Sequence, residues 1–241
     1  MVFIAGIFAR GGSKGLPAKN TAMIGNQSLL GLAINAANSL DDVARVFVST
    51  DSEDIALEAR RLKAEVPFTR PANLAEDESP EWQAWRHAIK FLQLENGEYE
   101  GLLVVPTTSP LRSLIDLQRC IDEFRTGKWD IVITIAESQR NPYFNMAKVG
   151  EEGEATLLIE PTESIFRRQD APECFDICTV AYVVAPQYIL EKDSLFAGRV
   201  GHVLIPPERS LDIDTEFDLE VARAITNWRS CAKAGHDDEM L

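Results

Sequence analysis

Short apolar runs rich in β-branched residues alternate with segments of helical spacing along most of the chain. That is the pattern of repeated strand–helix units around a mainly parallel sheet. Val2–Ala9 is continuously apolar up to Arg10, as a strand buried on both faces requires. Leu29–Leu40 sets Leu29, Leu32, Ala33, Ala36 and Ala37 along one helical face. Arg45–Thr50 reads as a second strand, and Ser52–Lys63 as a helix capped by Ser52 or Asp51. Ala64–Thr69 reads as a short third strand. The helix Glu81–Leu94 turns Trp82, Trp85, Ile89 and Leu92 toward the core. Strand Leu102–Val105, helix Leu114–Arg125 and strand Asp130–Ala136 continue the alternation.

Beyond that point the rhythm breaks. Residues 137–175 are polar and irregular, with Asn141-Pro142, Gly150, Gly153 and Pro161, and read as an inserted hairpin or excursion. Regular structure resumes at strands Thr179–Ala185 and Gly201–Pro206, then a helix from Glu216 to about Arg229. The charged tail from Ala234 to Leu241 reads as frayed. The expected fold is therefore a single α/β domain over residues 1–241, a sheet covered by helices on both faces.

Three polar loops follow carboxyl ends of predicted strands: Arg10–Lys19, Thr50-Asp51 and Thr107–Arg112. In an open parallel sheet those ends share the edge where ligands bind, which points to an enzyme. The first loop, Arg10-Gly11-Gly12-Ser13-Lys14-Gly15-Leu16-Pro17-Ala18-Lys19-Asn20, combines three glycines with three cations. Free backbone N–H groups beside Arg10, Lys14 and Lys19 suit a triphosphate, although the spacing is not that of a Walker loop. A flexible turn with solvated charges is the plainer alternative.

Near the other end, Asp212 and Asp214 stand two apart on an extended segment, so both can reach one divalent cation such as Mg2+. The same stretch also reads as a helix start, with Thr215 and Asp218 as a capping box. Thr108 and its neighbours in Thr107–Arg112 either contact a base, ribose or phosphate or cap the next helix. Arg167-Arg168, with Asn141 to Asn145 upstream, either holds a carboxylate or is a solvated pair.

Bulk properties narrow the partners. The formal charge of -14 argues against nucleic acid, yet leaves room for an anionic small molecule in a local basic pocket. Cys120, Cys174, Cys178 and Cys231 form no CxxC pair, and the three histidines show no metal spacing. No charged leader precedes the first apolar run and no apolar stretch approaches 18 residues. These features lead us to expect a reduced cytoplasmic protein with free thiols and no membrane span.

ARGGSKGLPAKN from Ala9, VSTD from Val48, RPANLAED from Arg70, SPLR from Ser109 and LDIDTEFDL from Leu211 together resemble the acylneuraminate cytidylyltransferase family. These enzymes are the synthetases of CMP-sialic acid and related CMP-ulosonates. The resemblance spans about residues 1–225 and implies a Rossmann-like core with a dimerisation excursion, about 137–175, lying over the partner's site in a homodimer. It implies CTP and an acidic nine-carbon sugar as substrates and Mg2+ as cofactor. Arg10, Gly12, Ser13, Lys14 and Lys19 would hold the triphosphate, with Asn20 and Arg70 toward the cytidine. Asp212 and Asp214 would carry the metal, and Arg168, Tyr182 and Asn145 would face the sugar. Arg10, Lys19 and Asp212 would be catalytic.

RNPYFN at Arg140–Asn145 and RRQDAPECFD at Arg167–Asp176 look more like the branch acting on legionaminic acid. A lysine near Phe144 and an asparagine near Cys178, implied for the sialic-acid branch, are absent. The competing expectations are a nucleotidyltransferase for another sugar acid such as Kdo, a metal-dependent glycosyltransferase, and a silent nucleotide-binding paralogue. The lysine-rich loop argues against the glycosyltransferase.

Overall fold

In the computed structural model, which describes residues 2–94 and 99–237, the predicted alternation becomes a six-stranded sheet. β1 (Phe3–Phe8) leads through a hairpin of β2 (Met23–Ile24) and β3 (Gln27–Ser28) into α1 (Leu29–Asn38). β4 (Val43–Ser49), α2 (Glu53–Arg61), α3 (Glu81–Leu94), β5 (Leu102–Val104), α4 (Leu114–Arg125) and β6 (Ile131–Glu137) follow. After a small hairpin of β7 (Ala147–Val149) and β8 (Ala155–Leu157) come β9 (Phe175–Val184), α5 (Pro186–Glu191), β10 (Val200–Leu204) and α6 (Glu216–Asp237). The sheet order is β10-β6-β9-β5-β1-β4, and only β9 runs antiparallel to its neighbours.

The apolar continuity of the strands has a direct structural cause. Phe3, Ala5 and Ile7 of β1 point to the face covered by α1, α2 and α4, whereas Ile4 points to the face covered by α3 and α5. Alternate residues of a strand face opposite ways, so a strand buried on both sides must be apolar throughout. Helix starts follow local chemistry. Ser52 caps α2 by accepting from the Ile55 amide at 3.5 Å, and Ser113 and Asp116 form a reciprocal capping box on α4.

Four expectations shift. Ala64–Thr69 lies along β4 in isolated bridges, Phe47 to Glu65 and Thr50 to Thr69, because Pro67 in its middle has no N–H to donate. β9 begins four residues earlier than the pattern suggested, and its first turns, with Phe175 and Ile177 exposed, project past the body of the sheet. The α5 turn, opened by Pro186, was not anticipated. α6 continues to Asp237, while residues 238–241 of the expected frayed tail lie outside the described residues. No helix among the described residues is long and apolar enough to cross a membrane.

Between β6 and β9 the register jumps from Ile133–Tyr182 to Thr134–Cys178, a bulge on β9. Thr134 Oγ1 fills it, donating to the Cys178 carbonyl at 2.7 Å. The bulge turns Thr179 out of the ladder toward the edge where the ligand loops converge, a common use of bulges.

Candidate active site

The glycine-rich loop is pinned at several points. Asn20 Nδ2 donates to the Arg10 carbonyl at 2.9 Å, and Asn20 Oδ1 accepts from Thr107 Oγ1 at 2.6 Å. The Gly11 amide donates to Asp51 Oδ1 at 2.9 Å, so the loops after β1, β4 and β5 are tied together. Gly15 lies so close to the aspartate segment that a Cβ would sit 2.5 Å from the Asp214 carbonyl oxygen. Leu16 is buried with Ile24, Leu29, Ile213 and Leu219, which glues the loop to the start of α6. Gly12 and Ser13 form the outer turn, with open space around Gly12.

All three loop cations already touch protein anions or carbonyls. Lys19 Nζ donates to the Ile213 carbonyl at 2.8 Å and to Asp214 Oδ1 at 3.2 Å. Arg10 and Lys14 share Asp77, at 2.9 and 2.6 Å. The paired cations hold the Asp77 carboxyl below the usual range, Lys14 contributing most.

Beside this loop opens a cleft of about 330 Å³. Arg10 and Asp77 stand at one side, Phe8, Thr107, Thr108 and Thr179 line the base, and Arg70, Ser79 and Glu81 form the far wall. Arg70 is buried, donating from Nε to Ser49 Oγ at 3.1 Å and lying over the Phe8 ring. Burial pushes its guanidinium down to about 10, against the pull of Glu81 and Asp51. Glu81 accepts from Trp85 Nε1 at 3.2 Å, and its crowding by protein raises its carboxyl above the ordinary value. Tyr182 lies behind it, its ring 5.4 Å from that of Trp85, its phenol raised chiefly by burial and then by Glu81 and Asp212.

Asp212 and Asp214 both line the cleft, as their spacing predicts. The segment carrying them is anchored at each end. Arg209 meets Asp116 of α4 bidentately, at 2.8 and 2.9 Å, and the Ile213 amide donates to the Thr108 carbonyl at 2.8 Å. Asp218 accepts from the Thr215 amide at 2.7 Å, so the capping reading and the cleft-facing aspartates hold together. Among the described residues no group of three or more His, Cys, Asp or Glu could enclose a metal. Two carboxylates beside a loop of three cations nevertheless fit Mg2+, which takes few protein ligands and completes its shell with phosphate and water. One oxygen of the pair, Asp212 Oδ1, is buried and has no hydrogen-bond donor.

The predicted sugar contacts do not line the cleft. Tyr182 is buried in the core beside Trp85, and Arg168 lines a separate cavity of about 420 Å³ at the root of the excursion, with Arg140, Asn141 and Cys174. Arg168 donates to the Ser138 carbonyl. Asn145 Oδ1 accepts from the Asn141 amide at 2.6 Å, holding the turn before β7. One chain thus does not bring Arg168 and Asn145 to the cleft that holds Arg10, Arg70 and Asp212. Asp77, Glu81 and Thr179 were missed from the sequence. Asp77 and its RPANLAED stretch were visible, but nothing in the pattern said which cation it would meet.

The chain matches the cytidylyltransferase family over residues 4–146. It belongs to that family. Among its cytidylyltransferase relatives, the CMP-N,N'-diacetyllegionaminic acid synthase of Campylobacter jejuni is 30% identical over 230 residues, covering 93% of this chain and 94% of the relative. The post-translational flagellin modification protein B of Campylobacter coli is 30% identical over 216 residues, covering 89% and 91%. A CMP:2-keto-3-deoxy-manno-octonic acid synthetase solved with CTP superposes with a TM-score of 0.71 at 14% identity, over 95% of this chain and all of that one, a likeness of fold. The cytidylyltransferase assignment makes the chain a nucleotidyltransferase.

Proposed function

We propose that the protein transfers CMP from CTP to the anomeric hydroxyl of a nonulosonic acid of the legionaminic type, releasing pyrophosphate. The observation that carries this reading is the apposition of the Arg10–Lys19 loop to Asp212 and Asp214, with Lys19 bonded to both Ile213 and Asp214. Such a site can hold a triphosphate and a cation together. The full-length similarity to a CMP-legionaminic acid synthase supports the sugar class.

In the reaction the anomeric oxygen attacks the α-phosphorus, the bond to the bridging oxygen of pyrophosphate breaks, and the hydroxyl proton passes to solvent. Phosphoryl chemistry of this kind depends on positioning and charge stabilisation. Arg10, Lys14 and Lys19 hold the β- and γ-phosphates and stabilise the departing charge. Asn20 fixes the loop and, with Arg70, bounds the cytidine side. Asp212 and Asp214 would hold Mg2+, which when bound would supply Lewis-acid polarisation of the phosphate and lower the pKa of the attacking hydroxyl. Arg168 and Asn145 reach sugar only if the excursion of a second copy covers the cleft, so the working unit is a homodimer, cytoplasmic where CTP is available.

The test is pyrophosphate release from CTP and Mg2+ with legionaminic acid, pseudaminic acid, N-acetylneuraminate and Kdo offered separately. Release with legionaminic acid, lost in Asp212→Ala, is expected. Release only with Kdo, or with none despite CTP binding, would overturn the assignment.

A further inference from the structure

The far wall of the cleft differs in kind from the side that carries Arg10. It joins one cation, one anion and a hydroxyl to apolar surface, in Arg70, Glu81, Ser79, Phe8 and Leu74. Glu81 opens α3, and its Oε1 accepts from the indole Nε1 of Trp85 at 3.2 Å. Trp85 is buried and packs against the Phe8, Trp82 and Tyr182 rings, so this contact fixes where the carboxylate stands. The second oxygen, Oε2, has no hydrogen-bond partner among the described residues. Arg70 is held in a similar way. Its Nε and Nη2 both donate to Ser49, its guanidinium lies over the Phe8 ring, and Nη1 has no partner among the described residues. The cleft thus presents a fixed acceptor and a fixed donor on one wall, beside an aromatic surface.

An anion fits this wall poorly, because Glu81 stands in it and Glu76 lines the same cleft. Phosphates and a sugar carboxylate belong on the side of Arg10, which leaves the uncharged base of the nucleotide for the far wall. Cytosine carries ring acceptors next to an N4 amine that donates, whereas uracil carries the acceptor O4 where that amine would be. We propose that Glu81 is a specificity-determining residue: its free carboxylate oxygen accepts from the cytosine amine while Arg70 donates to the neighbouring ring acceptor, so that the site takes CTP and rejects UTP. With uracil the carboxylate would face O4, two acceptors with no proton between them, and such a mismatch discriminates strongly. The inference rests on the CTP reading given above and on no particular sugar.

The test is calorimetric titration of the full chain in Mg2+ without sugar, using CTP, UTP and the CTP analogue that has hydrogen in place of the 4-amino group. Wild-type protein is expected to bind CTP about 10-fold or more tightly than either of the others. Glu81→Ala should weaken CTP binding by about 10–100-fold, the effect of one hydrogen bond to a charged group, and leave UTP no weaker. Glu81→Gln, whose amide can donate to O4, should shift the preference toward UTP. An equal loss for all three nucleotides in folded Glu81→Ala would overturn the proposal, because a carboxylate that merely supported α3 would act on them alike. Wild-type protein that bound the analogue as tightly as CTP would overturn it without any variant. Wild-type protein that bound none of the three would overturn the CTP reading beneath it. Selective CTP binding that depends on Glu81 supports the proposal even if no sugar acid yields pyrophosphate.

Discussion

Replacing Lys19 with alanine removes one charge from the proposed phosphate cradle and one tie between two distant segments. The side chain is only 16% exposed, and its Nζ donates to the Ile213 carbonyl at 2.8 Å. A hydrogen bond from a charged donor to a neutral acceptor contributes about 1.5–3 kcal/mol. The contact with Asp214 adds little, because that carboxylate is 74% exposed and exposed pairs contribute about 0–1 kcal/mol. Stability should therefore fall by about 2–3 kcal/mol, which leaves an ordinary domain folded. Turnover should fall further, by about 10²–10³, the effect of losing one preorganised contact to a developing charge. The assay is CTP-dependent pyrophosphate release at saturating CTP, beside urea unfolding of the same preparation. Near-wild-type turnover in the folded variant would refute the role of Lys19. A turnover loss matched by an equal loss of folded protein would reduce it to a structural tie.

Other parts of the site make separate predictions. Asp77 occupies Arg10 and Lys14 where a triphosphate would bind, so Asp77→Asn should tighten CTP binding in a calorimetric titration; weaker binding would mean that Asp77 positions those cations instead. Asp116 is fully buried against Arg209, and Asp116→Ala should cost about 3–5 kcal/mol in urea unfolding, because it strands the arginine. Asp42, Asp130 and Asp218 have carboxyls held below their ordinary value, chiefly by hydrogen bonds from Arg125, Arg199 and Thr215 respectively. A group depressed in the folded state stabilises above its unfolded pKa, so their contribution is present at neutral pH and fades below about pH 4. Unfolding measured from pH 7 downward should show that loss, and Asp42→Asn should reduce its slope.

Local pattern alone located the strands and helices of the nucleotide-binding edge. The continuous apolar run of Phe3–Phe8 and the helical spacing of Leu29–Asn38 record burial directly, since each position must match the face it turns to the core. The same logic misjudged β9, whose projecting residues Phe175–Ile177 are not buried and so carry no such imprint. It also read Ala64–Thr69 as a short strand, where Pro67 interrupts the ladder and leaves isolated bridges.

At the site, the composition of the Arg10–Lys19 loop and the alternation of Asp212 and Asp214 were enough to raise the expectation of a phosphate cradle and a cation pair, and the structure brings the loop and both aspartates together. Both are short-range properties of consecutive residues. What met what was decided by the sheet order. Lys19 reaches Asp214 across 195 positions, Arg209 reaches Asp116 across 93, and a bulge aims Thr179 at Thr108. The division of Arg168 from the cleft likewise depends on which loops the packed strands bring to one edge. Such contacts arise from the summed packing of distant segments, and no stretch of sequence carries that sum.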